Sequence, residues 1–320
     1  MFRQIYIPVT IATYQMKTST GRYGLFSKRL NAFTREADCV YAEDAEALHR
    51  SRVASRRLRE ILPVVGLEAH TCENLNHRLK KVTRRLGDVR EGDVLLVLIS
   101  ELGQDPRYSP AALTEVAEVV SRARASAHLR LADKLPPPKM RGLADRLELV
   151  ANQLQLDDER SQRGRRQRGQ AWLWALDARA ARRAAQARSV MEAVGRVYVP
   201  GRLHAVRIAV KKFRYSLELV AEARNRRTTA DIGALKAAQD ILGRLHDVEV
   251  LIERARHVQA SVSPPKVAAW RDVGSLVHAL EDDCREQDAR YRQLSPRLRS
   301  IADRVAGAKR DSLRTRHSAG

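Results

Sequence analysis

The sequence predicts an all-α protein made of two four-helix-type bundles, which arise from an internal duplication and are related by a pseudo-twofold axis. Leu, Ala, Arg and Glu dominate the chain, and aromatic residues make up only 5% of it. That composition favours helices over β-strands. Two separate motifs also recur at a shift of about 156 residues, and a fixed shift over two segments indicates duplication rather than coincidence.

Five helices are predicted in the first half, at residues 25–40, 44–65, 71–102, 109–135 and 140–159. Pro63 is expected to kink or stop the second helix, because a proline inside a helix removes a backbone hydrogen bond. Gly87 and Gly92 are candidate breaks in the third helix. Pro110 suits the first turn of the fourth helix, and the three prolines at 136–138 separate the fourth helix from the fifth.

The second half is predicted to repeat this order with four helices. One covers residues 172–197, the next follows Pro200 and Gly201, another covers about 229–258, and a last long helix follows the prolines at 264–265. We interpret the arginine-rich run 163–169 as a solvated linker between the halves. The predicted boundaries are an N-terminal arm at 1–21, a first bundle at about 22–160, a second bundle at about 168–293, and a C-terminal short helix with a basic tail at 294–320.

The charge of the chain points to an anionic partner. Its 320 residues include 59 Lys and Arg against 38 Asp and Glu, which gives a net charge of +21. A field of that size attracts polyanions such as nucleic acid, an acidic membrane surface or inorganic polyphosphate. The sequence contains no apolar run of membrane-spanning length and no signal-peptide pattern. Its three scattered cysteines lack zinc-ligand spacing, so we expect a reducing, cytoplasmic setting.

One predicted helix, residues 203–217, carries a stripe of positive charge. His204, Arg207, Lys211 and Arg214 follow one another at steps of three, four and three, so they share one face of the helix. Apolar residues occupy the opposite face, which is typical of a helix that packs on a core. No carboxylate interrupts the basic stripe before Glu218.

Residues 48–59 repeat this pattern with the same offsets. His49 corresponds to His204, Arg52 to Arg207, and Arg59 to Arg214, while Arg56 and Arg57 match the lysine pair 211–212. Like charges three or four residues apart destabilise a helix by about 0.2–0.5 kcal/mol per pair. Because an unfavourable arrangement occurs twice, we expect an anionic partner that neutralises it.

The third helix of each half repeats as well. Residues 80–95 match residues 236–251, and both segments contain a Leu-Gly pair followed by alternating charged and apolar residues. The order of the two motifs is the same in both halves.

The doubled motif resembles the CHAD family, the conserved histidine α-helical domains. The resemblance rests on the two Leu-His-x-x-Arg-x-Ala helices and on the Leu-Gly segments that follow them, and it covers about residues 22–293. It implies two four-helix bundles with a basic central surface that binds inorganic polyphosphate, and association with polyphosphate granules. Some family members carry a fused triphosphate-tunnel domain, but the chain has no ExExK-type strand motif and therefore resembles the stand-alone form.

The resemblance also implies which residues bind polyphosphate. They are expected on the two duplicated helices and on the third helix of each half: His49, Arg52, Arg56, Arg57, Arg59, Lys80, Arg90, His204, Arg207, Lys211, Lys212, Arg214, Lys236 and His246. No catalytic residue, cofactor or metal ligand is expected among them.

Alternatives remain open at this stage. His49 and His204 either contact phosphate or form hydrogen bonds across the interface between the bundles and orient the arginines. A phosphohydrolase is a second functional class, although no Gly-rich phosphate loop, paired nucleophile and base, or carboxylate cluster for Mg²⁺ is visible in the sequence. A nucleic-acid-binding helical protein is a third, although the basic stripes lack the interleaved aromatic residues on which single strands usually stack.

Overall fold

A computed structural model describes residues 21–37, 44–160, 165–195, 197–225, 230–261 and 267–317. Within these ranges the regular structure is entirely helical, so the predicted all-α fold is confirmed. The elements are α1 (Arg22–Ala37), α2 (Ala45–Ile61), a 3₁₀ turn (Leu62–Val64), α3 (Ala69–Leu102), α4 (Pro110–Lys134), α5 (Pro137–Arg160), α6 (Arg165–Glu192), α7 (Pro200–Ala223), α8 (Ala230–Ser261) and α9 (Val267–His317). Except for Gly21, the predicted N-terminal arm lies outside the described residues.

Several helix ends follow from capping and proline chemistry. The Asp44 carboxylate accepts a hydrogen bond from the backbone N–H of Glu46 at 2.8 Å and caps α2. Pro63 lies in the 3₁₀ turn that ends α2, as its missing N–H predicts. Pro200 occupies the first turn of α7, where a proline N–H is not needed. The predicted break in α3 does not occur, because buried leucines on both sides of Gly87 and Gly92 hold the helix in the core.

Two predicted boundaries differ from the structure. Helix α6 already begins at Arg165, so most of the predicted linker is helical, in keeping with the helix propensity of Arg and Gln. Helix α9 is a single helix of 51 residues that continues through Pro296, and the described residues therefore contain no separate C-terminal short helix. Leu280 before the proline and Leu298 after it are both fully buried, so core packing holds the helix on either side.

The packing has three apolar centres along its length. One lies mainly between α1, α2, α3 and α5, and another lies between α6, α7, α8 and α9. A third joins the halves, where the C-terminal part of α3 and the N-terminal part of α4 pack on α8 and α9. The corresponding helices meet across the molecule, α2 against α7 and α3 against α8, which is consistent with the predicted duplication. No helix in the described part of the chain combines the length and apolarity needed to cross a membrane.

Candidate functional site

The two duplicated basic helices, α2 and α7, lie against each other. Their apolar sides enter the cores, with Leu48 and Leu58 of α2 and Leu203 and Phe213 of α7 at most 1% exposed. Their basic sides contribute to one common group of charges. We call Arg52 and Arg56 of α2, together with Arg207 and Lys211 of α7, the basic cluster.

The ionisation of Lys211 shows how closely the basic cluster is assembled. The pKa of the Lys211 ammonium is lowered from its ordinary value of 10.5 to about 6; burial is the largest cause, and the charges of Arg56, Arg207, Arg52 and Arg214 contribute in that order. Burial likewise lowers the pKa of Arg52 to about 10, with Arg56 and Arg207 as the next causes. The cationic side chains of both helices therefore repel one another in a partly desolvated environment.

The four members of the basic cluster have no carboxylate within ion-pair distance among the described residues. The buried Nε of Arg52 has no hydrogen-bond partner there at all. Arg52 also packs beside Gly87 of α3, where an added Cβ would lie 3.5 Å from the arginine Nη2. The charge of Asp247 offsets part of the cost at Arg207, but a group of half-buried cations without an ion-paired carboxylate is still unfavourable, and an anion bound there would lower that cost.

Arg59 and Arg214, which correspond to each other in the two halves, are already engaged. The Arg59 Nε donates to the side-chain oxygen of Asn76 on α3 at 3.2 Å. The Arg214 Nε donates to Gln239 on α8 at 3.0 Å, and its Nη1 pairs with Glu218. These two predicted ligands tie each basic helix to the third helix of its own half. Arg214 is also paired with a carboxylate, so it has less charge available for a ligand than the basic cluster has.

His204 and His246 form a pair within the second half. Their Nδ1 atoms are 3.3 Å apart and their ring centroids 4.5 Å apart, between α7 and α8. His246 also lies 3.8 Å from Glu249, which accepts a hydrogen bond from the Tyr198 hydroxyl at 2.7 Å. Burial, then His246 and Arg207, lower the pKa of His204. His204 therefore has a contact that can orient its ring, the one with His246. That contact lies within the second half of the chain and not between the bundles.

His49 has a different environment from its counterpart. His49 is largely exposed and forms no hydrogen bond with the described residues, and partial burial followed by the charges of Arg90, Arg56 and Arg52 lowers its pKa. Burial raises the pKa of Asp247 on α8, and the charges of Arg207 and other cations lower it. Arg90 on α3 is one of these cations. Arg90 therefore lies at the edge of the basic cluster, where α3 and α8 meet.

Helix α6 contributes cations that sequence reasoning missed. Burial and then Arg183 lower the pKa of Lys212, with Arg59 and Arg179 as further cationic neighbours. Glu60 is the carboxylate that acts on Lys212 among the described residues, and it pairs with Arg179 at 2.8 Å. The spacing of Arg179 and Arg183, four residues apart on one helix, was the available signal, but nothing in the sequence indicated that α6 lies beside α7.

The remaining predicted ligands lie further out. Arg57, Lys80 and Lys236 are exposed, and in the described part of the chain no ion pair or hydrogen bond holds them. Lys80 lies one helical turn from Asn76, and Lys236 lies three residues before Gln239, so both are on the sides of α3 and α8 that face the basic helices. Among the described residues, no group of three or more His, Cys, Asp and Glu side chains is placed to hold a metal ion.

Comparison with known proteins gives a family model and two related folds. The model of the CHAD domain matches residues 24–256. A solved structure, PptA from Streptomyces chartreusis, is similar with a TM-score of 0.61 and 16% identity, over 85% of this chain and 97% of that one. The crystal structure of the CHAD domain from the plant Ricinus communis is similar with a TM-score of 0.54 and 21% identity, over 85% and 89% of the two chains. No curated protein sequence matches the chain.

Proposed function

The chain belongs to the CHAD domain family, and from that premise we propose that it binds inorganic polyphosphate, without catalysing a reaction on it, through the basic cluster and the cations around it. The observation that carries the proposal is the basic cluster itself, in which Arg52, Arg56, Arg207 and Lys211 converge from two helices and, in the described structure, none of them forms an ion pair with a carboxylate. Association with polyphosphate granules would follow from such binding.

The chemistry of the basic cluster suits a chain of phosphates. Arginine can donate two parallel hydrogen bonds to phosphate oxygens, and a lysine adds a compact point charge. Proteins that bind single-stranded nucleic acid usually add aromatic faces for base stacking. Tyr215 is the aromatic residue beside the basic cluster, and the Arg214 guanidinium already lies over its ring at 4.8 Å from the centroid. These features favour a polyanion without bases.

Binding to long-chain polyphosphate is expected to be tight and strongly dependent on salt. If the four cations of the basic cluster each neutralise one phosphate, the logarithm of the binding constant should fall against the logarithm of salt concentration with a slope of about −3, because roughly 0.7 counterion is released per contact. Titration calorimetry from 50 to 300 mM salt measures the slope. Competition with duplex DNA at equal phosphate concentration is the control. A flat salt dependence, or preferential binding of DNA, would contradict the proposal.

No release of phosphate is expected when the protein is incubated with polyphosphate. The proposal assigns binding alone, whereas the alternative phosphohydrolase would shorten the polymer. Orthophosphate release, measured with and without Mg²⁺ over several hours, separates these two classes. Release that increases with protein concentration and disappears in a variant of the basic cluster would overturn the non-catalytic assignment.

A further inference from the structure

A second basic region lies outside the basic cluster. A cavity of about 670 Å³ opens between α3, the end of α4 and the start of α5. Seven of its thirteen lining residues are Lys or Arg, and none is Asp or Glu. The cations come from all three segments, and they include Arg78, Lys81 and Arg85 of α3, Lys134 of α4, and Lys139 and Arg146 of α5.

The cavity lies on the other side of α3 from the basic cluster. Thr83 faces α2, since it shares a hydrogen bond of 3.0 Å with Ser55. Lys81 and Arg85 are each two positions from Thr83, which places them about 200° around the helix from it. The cavity is therefore separated from the basic cluster by the body of α3, and a ligand in one would not occupy the other.

The second half of the chain has no equivalent cavity lining. At the shift of 156 residues, the positions of Arg78, Lys81 and Arg85 are taken by alanine at 234 and 237 and by isoleucine at 241. Ala234 is buried in the core with Leu298 of α9, and Ile241 packs against the same core. Ala234 and Ile241 of α8 thus belong to the core with α9, whereas Arg78 and Arg85 at the matching positions of α3 line the cavity.

Few of the charges around the cavity are neutralised within the protein. Asp133 lies at the rim and pairs with Lys134 at 3.0 Å. The hydrogen bond and charge of Lys134 lower the pKa of Asp133, and the charges of Lys139 and Arg85 lower it further. Among the residues that the structure describes, no other carboxylate forms an ion pair with a cation of the cavity lining. The cavity therefore combines a concave shape with a surplus of positive charge.

We propose that this cavity binds a compact anion that carries several linked phosphates, such as a nucleoside triphosphate or inorganic tripolyphosphate. Its volume lies within the range of about 300–1,000 Å³ that is usual for small-molecule sites. Lysines and arginines converging from three segments can surround a triphosphate group, with arginine donating to two oxygens at once. The inference does not depend on polyphosphate binding at the basic cluster.

Two substitutions in α5 and one matched control test the cavity. Arg146→Glu reverses a lining charge, whereas Arg141→Glu makes the same change at an exposed residue of the same helix that does not line the cavity. Gly142→Phe fills part of the space without altering charge, and a Cβ at Gly142 meets no atom within 4 Å. Calorimetry with ATP and with tripolyphosphate should give binding that weakens about tenfold or more in Arg146→Glu and in Gly142→Phe, and about twofold or less in Arg141→Glu.

The outcomes separate this inference from the proposed function. A preference for ATP or for tripolyphosphate identifies which source of linked phosphates the cavity takes, and weakening by both cavity variants supports the inference for either ligand. Failure of both ligands to bind, or binding lost only when Arg207 and Lys211 are replaced, would overturn it. If cavity binding is intact while long-chain polyphosphate does not bind, the proposed function fails and the cavity site stands. Thermal melting of each variant verifies that it is folded.

Discussion

The double variant Arg207→Gln/Lys211→Met is expected to bind long-chain polyphosphate about a hundredfold more weakly than the wild-type protein, because each charge-assisted hydrogen bond contributes about 1.5 kcal/mol, or about tenfold. The same variant should unfold at a temperature about 2 °C higher. Both side chains are half-buried next to other cations, and burial is the largest cause that lowers the pKa of each, although the charge of Asp247 opposes it at Arg207. Replacing the half-buried amine of Lys211 by an apolar group relieves an unfavourable interaction of about 1 kcal/mol in the unliganded protein.

These opposite effects distinguish a binding role from a structural one. Arg285→Gln/Arg290→Gln is the matched control, since it removes two positive charges from exposed positions on α9. It should reduce polyphosphate affinity less than threefold, through the loss of net charge alone. Calorimetry measures affinity and differential scanning calorimetry measures unfolding. If Arg207→Gln/Lys211→Met bound as tightly as wild type but melted several degrees earlier, the two side chains would be structural and the proposed site would be wrong.

The positions of the basic residues on their helices could be predicted because helical periodicity is local. Steps of three and four residues place Arg207 and Lys211 on one face regardless of the rest of the fold. The duplication also indicated that Arg52 and Arg56 would have the same arrangement. It could not establish that the two faces act on each other, since that depends on how α2 and α7 pack between the cores.

Side-chain pairing within the site could not be predicted in the same way. Arg214 continues the basic stripe, yet it forms an ion pair with Glu218 one turn further along the helix. Its Nε also donates a hydrogen bond to Gln239 on the neighbouring helix. His204 meets His246 because α7 packs on α8, which is a tertiary contact without a local sequence signal. The stripe therefore indicates which residues are candidates, and only packing determines which of them keep their charge available for a ligand.

The cavity between α3 and α5 illustrates the same limit. Lys81, Arg84 and Arg85 could be recognised as cations without basic counterparts in the second half of the sequence. These cations could have formed either a solvated helix face or the wall of a cavity. Which of the two they form depends on the direction of α5 after the prolines that end α4. In the structure α5 returns along α1, and the space beside α3 stays open.

Polyphosphate affinity is expected to rise about tenfold per pH unit as the pH falls from 8 to about 6, with Lys211 as the main cause. The unliganded protein lowers the pKa of Lys211 to about 6, so the amine is mostly neutral at pH 8. A bound polyanion favours the ammonium form and raises that pKa. Binding at pH 8 should therefore take up about one proton, which calorimetry in buffers of different ionisation enthalpy detects. Burial lowers the pKa of His49 and of His204 below the ordinary histidine value, so both rings are neutral in the unliganded protein at pH 8.

The unliganded protein should show the opposite dependence on pH. Because the folded-state pKa of Lys211 lies below its ordinary value of 10.5, the unfolded chain binds more protons between about pH 6 and 10.5, and this residue's contribution to stability increases as the pH rises through that window. In Lys211→Met both the proton uptake at pH 8 and this part of the stability profile should disappear, whereas Lys236→Met, at an exposed lysine of α8, should retain both. A wild-type protein that took up no proton at pH 8 would show that Lys211 is either already charged or does not face the ligand, and the basic cluster would then lose its central member.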